Sequence, residues 1–169
     1  MGACPEPHHD GVNRDARTLP SPADVVSNLG VLRYLAGGGP PESVAAELPT
    51  DHTDTWRLGA HPDIVEWLWT TLNGALPADA RCLLDNGAAL VHRTSGVILA
   101  VALGTRYALR LTEPDLDQAL ARGYATAHDF RTVGRHLDLA STFGPGWVIG
   151  AQEADEARWL RASWSEADR

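Results

Sequence analysis

Lysine is absent: all 14 basic residues of the 169-residue chain are arginine. That excludes a Walker A phosphate loop, a Schiff-base lysine and a Ser-Lys dyad, each of which needs the primary amine. Only two cysteines occur, Cys4 in a polar stretch and Cys82 at the head of an apolar run. So few, so far apart, they make no disulfide framework and fit a reducing compartment. A net charge of -8 without any basic run argues against sequence-independent nucleic-acid binding.

No stretch approaches the roughly 20 apolar residues of a membrane span, and the start MGACPEPHHD has neither the basic head nor the apolar core of a secretory signal. Glu6 stands where a myristoylated terminus needs Ser or Thr. Catalytic signatures are missing too. No GxSxG surrounds a serine, no GxGxxG follows a strand pattern, and Cys82 sits on an apolar face. A Mg²⁺-dependent nuclease site needs a carboxylate and then an acid with Lys on the next strand, and Val97 to Leu103 offers no carboxylate. These absences lead to a soluble, cytoplasmic protein with no membrane or nucleic-acid partner and no cofactor. The Arg, Ala and Gly bias is that of a GC-rich bacterial genome.

What is present reads as one folded unit after an arm. Residues 1–20 mix Pro, Gly, His and charge without periodicity, and are expected to be a disordered arm. Residues 21–169 form the single domain. Ser21 and Pro22 open a helix carrying Val25, Val26, Leu29, Leu32 and Leu35, ended by glycines 37–39, and a short helix over 42–48 follows. His61 and Pro62 open a stronger one with Ile64, Trp67, Leu68, Leu72 and Leu76 in one stripe, widened by Val65 and Trp69 and closed by Pro77.

Residues 81–111 alternate β-forming runs with turn signals at Asn86-Gly87, Arg93 to Gly96 and Gly104-Thr105, which predicts a four-stranded antiparallel meander. Counting from those turns, Asp85 faces Ala88, His92 faces Arg81 and Val97, and Leu103 faces Arg106. One side then holds Cys82, Leu84, Ala89, Val91, Ile98, Ala100, Ala102, Tyr107, Leu109 and Leu111, with the 61–76 helix as its cover. The other mixes Leu83, Leu90, Val97, Leu99, Val101 and Leu103 with Arg81, Asp85, His92, Arg106 and Arg110. Residues 114–122 and 153–166 read as helices, the latter with Ala157, Leu160 and Trp164 on one face; the segment 130–149 holds short, glycine-broken pieces. The fold class is α+β: a meander with helices on one face and a partial second covering layer.

The half-polar side is the leading site. Arg81, His92, Arg106 and Arg110 are its candidate ligand-binding residues, the arginines for a carboxylate or phosphate and His92 to move a proton. Asp51, His52, Asp54, His61 and Asp63 read as turn and helix-start residues rather than a metal site, and His128-Asp129 as a loop entering a strand. Six tryptophans in so small a chain point to an interaction surface including Trp69, Trp159 and Trp164. The functional expectation is a non-enzymatic accessory protein that holds another protein. The alternative is a small enzyme or anion-binding domain centred on His92, Arg106 and Arg110.

Overall fold

The computed structural model describes residues 60–84, 87–127, 129–132 and 135–169. The expected arm and the two helices before residue 50 lie outside them. At the first described helix, Pro62 occupies the first helical position and His61 Nδ1 accepts the Asp63 amide at 3.2 Å, the local chemistry that starts a helix here. This α1 (Pro62–Glu66) continues as a π-helical stretch, Trp67–Leu72, and a 3₁₀ turn, Asn73–Ala75. Val65, Leu68, Trp69 and Leu72 are fully buried, whereas Ile64, Trp67 and Leu76 are half-buried. The core face is therefore turned about one residue from the expected stripe.

The meander forms as β1 (Arg81–Leu84), β2 (Gly87–His92), β3 (Val97–Leu103) and β4 (Arg106–Arg110). Next come α2 (Asp115–Ala121), a separate two-stranded ladder of β5 (Asp129–Thr132) and β6 (Arg135–Asp138), and α3 (Leu139–Phe143). The chain closes with β7 (Trp147–Ile149) and α4 (Asp155–Ala167). The main sheet has five strands, not four: β7 pairs antiparallel with β4, in the order β1-β2-β3-β4-β7. A three-residue strand between Gly146 and Gly150 is too short to carry a periodic signal of its own.

Two registers differ from expectation. Leu84 pairs with Gly87, so Arg81 faces Leu90 rather than His92. A slip of two residues keeps every side chain on its face, and the hydrophobic pattern cannot detect it. The second difference has larger effects. His92 pairs with Val97 and Val91 with Ile98, but Leu90 pairs with Ala100, which leaves Leu99 as an extra residue in a β-bulge. From Ala100 onward each side chain consequently occupies the face opposite to the one expected. β3 is buried at all seven positions, so its sequence ValIleLeuAlaValAlaLeu holds no polar residue to penalise the slip.

Two apolar cores result, one on each face of the sheet. The larger joins Leu83, Leu90, Leu99, Tyr107 and Leu109 to the α1 segment and to Trp159 and Leu160 of α4. The smaller joins Cys82, Val91, Ile98, Val101 and Leu103 to Leu139, Phe143 and Trp147. In α4 the buried stripe runs Glu156, Trp159, Leu160, Ser163 and Ala167, through two polar residues.

Candidate functional site

The bulge separates the expected site. Arg81 and His92 share the face of the larger core, while Arg106 and Arg110 lie beyond the bulge on the other face. Arg106 is exposed and Arg81 half-buried; His92 and Arg110 are buried. These four residues do not converge on one pocket.

His92 belongs to a local network instead. Its Nδ1 lies 2.7 Å from Ser95 Oγ and accepts the Ser95 amide at 3.2 Å, and its Nε2 lies 3.5 Å from Asp168 Oδ1. The Trp164 ring meets it edge-on at 4.5 Å. Hydroxyl, imidazole and carboxylate thus stand in the order used for acyl transfer, but such chemistry also needs an accessible hydroxyl and free amides to hold an oxyanion. Ser95 is 4% exposed. The amides around it are committed: Ser95 to His92 Nδ1, Gly96 to the His92 carbonyl, and Val97 to Ser95 Oγ. The network closes the β2–β3 turn and seats the end of α4 on it.

A second polar cluster escaped sequence reasoning. Glu156 is fully buried, and each carboxylate oxygen receives two donors. Oε2 accepts from Tyr107 Oη at 2.5 Å and Trp67 Nε1 at 3.2 Å; Oε1 accepts from Tyr124 Oη at 3.1 Å and the Ala151 amide at 2.7 Å. Tyr107 Oη in turn accepts the Gln152 amide at 2.5 Å. Gln152 takes a left-handed backbone, φ 58°, which is uncommon for a non-glycine residue. With it, two successive amides serve the same cluster. Burial first, and then the Glu156 carboxylate, raises both phenols well above the usual tyrosine range. A carboxylate so fully satisfied joins four segments of chain and has no lone pair left over for a ligand.

Arg110 is the opposite case. Its side chain is fully buried on the smaller-core face, opposite Trp147 of β7. Nε donates to the Pro145 carbonyl at 3.1 Å, and neither terminal nitrogen, Nη1 or Nη2, has a hydrogen-bond partner among the described residues. Burial lowers its pKa from 12.5 to about 10, so it remains a cation at neutral pH. The turn before β7 holds it in place. The Gly144 carbonyl accepts Trp147 Nε1 at 2.8 Å, Pro145 accepts Arg110 Nε, and Gly146 accepts the Leu111 amide at 2.8 Å. Three consecutive carbonyls are thereby engaged by three different residues. Gly146 has φ +100°, and a Cβ there would stand 2.6 Å from the Leu111 carbonyl oxygen, so only glycine fits.

Of the described tryptophans, Trp69, Trp147 and Trp159 are buried, and Trp67 and Trp164 are half-buried. Trp69 is fully buried with its indole N–H on the Ala89 carbonyl at 3.2 Å, and Trp159 is fully buried with its N–H on Gln118 Oε1 at 3.0 Å. Neither contributes to a surface, which corrects that expectation: buried indoles here find the acceptors they need. Trp164 is half-buried against His92. Asp51, His52, Asp54 and His128 lie outside the described residues. Among the described residues no three His, Cys, Asp or Glu side chains stand together as a metal-ion set, and no helix is long and apolar enough to cross a membrane. Comparison with protein-family models, with curated proteins and with solved structures found no match to this chain.

Proposed function

We propose that this protein is a non-enzymatic binding protein that engages another protein through an anionic group taken up by Arg110. The observation that supports this reading is the buried guanidinium whose terminal nitrogens are both unpartnered among the described residues. A buried cation without a counter-charge costs several kcal/mol, on the order of 3 to 5, and an anion supplied by a partner offsets that cost. The other polar clusters do not ask for a ligand: Glu156 is saturated with donors, and the amides beside His92 are engaged.

Access favours the same face. Among the described residues it is covered by a layer that includes a two-stranded ladder and the five-residue α3, elements that are marginal on their own, and a partner reaches the buried Arg110 when that cover moves. A ligand that binds only the folded state raises its stability by mass action. Thermal unfolding of the full chain is therefore expected to shift upward with added acetate or inorganic phosphate, and the Arg110→Met chain is expected not to respond. An equal response in both chains would overturn the reading.

A further inference from the structure

Resting on that reading, we infer that the group Arg110 receives is a single carboxylate attached to an apolar body, as on a polypeptide ending in an apolar residue or on an acidic side chain set among apolar neighbours. Charge comes first. One buried guanidinium neutralises one negative charge; Arg106, four residues earlier on the same face, is exposed and roughly 13 Å away at about 3.3 Å per residue. A phosphate carries close to two charges at neutral pH, and the second would stay unmatched in apolar surroundings.

Donor geometry agrees. The Pro145 carbonyl occupies Nε, which uses up the edge of the guanidinium that contains it. Four N–H donors remain on Nη1 and Nη2, and the two that lie parallel along the Nη1/Nη2 edge match the two oxygens of a carboxylate. The walls are apolar as well: Trp147 lies across the strand pair with its indole N–H already on Gly144, and Phe143 stands 6.2 Å from it. No further donor on these residues is free for a third or fourth phosphate oxygen. The turn that fixes Nε is tied at all three carbonyls, so the orientation of the guanidinium is set before a ligand arrives, which lowers that part of the cost of binding.

Calorimetric titration of the full chain with N-acetyl-leucine, N-acetyl-leucinamide, N-acetyl-glutamic acid α-amide and phenyl phosphate tests the inference. At least one of the two carboxylates is expected to bind ten-fold or more tighter than phenyl phosphate, and the neutral leucinamide not at all. Whether leucine or the glutamate amide binds better tells a chain terminus from a side chain. Arg110→Met abolishes binding while remaining folded by circular dichroism, and Arg110→Lys, with the charge but not the paired donors, retains little. Phenyl phosphate binding as tightly as either carboxylate, with loss in Arg110→Met, would sink the carboxylate assignment and leave anion binding standing. No Arg110-dependent binding of any anion would remove both.

Discussion

Replacing Arg110 by Met removes the buried charge and keeps most of the side chain's volume. Because burial lowers its pKa from 12.5 to about 10, the charged form costs on the order of 3 kcal/mol at neutral pH, at about 1.4 kcal/mol per unit. Arg110→Met is therefore expected to raise the unfolding free energy by about 1–3 kcal/mol in urea at pH 7 without ligand. A loss of stability instead would mean the cation is already compensated. Glu156 behaves in the opposite sense. Glu156→Leu strands four donors in the core and is expected to cost about 3–5 kcal/mol, measured by the same titration; a cost under about 1 kcal/mol would show the cluster relaxes easily. The sequence exposed Arg110 as a polar residue in a strand and hid Glu156, because an acid in a helix's first turn is already accounted for by the dipole. The signal that would have found it is phase: Trp159, Leu160 and Ala167 line one face of α4, and Glu156 falls on it.

The strands were legible from their turn residues, but their exact pairing only in part: at Asn86-Gly87 it is slipped by two residues, which the hydrophobic pattern does not record. The pairings of His92 with Val97 and Leu103 with Arg106 agree with the structure, because Arg93 to Gly96 and Gly104-Thr105 allow few other connections. Within β3 each residue is apolar and each position buried, so an inserted residue costs nothing that a pattern records, and the bulge that divides His92 from Arg110 could not be read. The turn before β7 yields its own test. Gly146→Ala forces a Cβ against the Leu111 carbonyl in a left-handed backbone, and is expected to cost about 1–3 kcal/mol. By shifting the Pro145 carbonyl it is also expected to weaken the anion response more than an equally destabilising change elsewhere, judged from melts with and without acetate.

The whole molecule integrates these groups in its response to alkali. Burial raises Tyr107 and Tyr124 above their ordinary value of 10.0 and Cys82 from 9.0 to about 12. Groups that hold their protons more tightly when folded lend full stability below their unfolded pKa and lose it as pH rises beyond. Stability is thus expected to fall from about pH 9 upward, with two of the three tyrosines ionising only on unfolding, as read by absorbance at about 295 nm. Free titration of all three near pH 10 would contradict the buried cluster. Arg110, whose folded pKa is lowered, acts the other way: its cost fades above about 10, so the alkaline loss is expected to be steeper in Arg110→Met. Fold class at this scale was readable from composition and turns, since helices and an antiparallel sheet are both present.

The Glu156 cluster also bears on when the chain becomes folded. Its donors belong to residues 67, 107, 124 and 151, all of which leave the ribosome before the acceptor does. A nascent chain halted at residue 150 holds three aromatic donors whose shared acceptor has not been made, and it lacks the helix that packs Trp159 and Leu160 against the sheet. Such a chain is expected to be cleaved by added protease as readily as an unfolded one, and to gain resistance only once the residues of α4 have also been made and can pack.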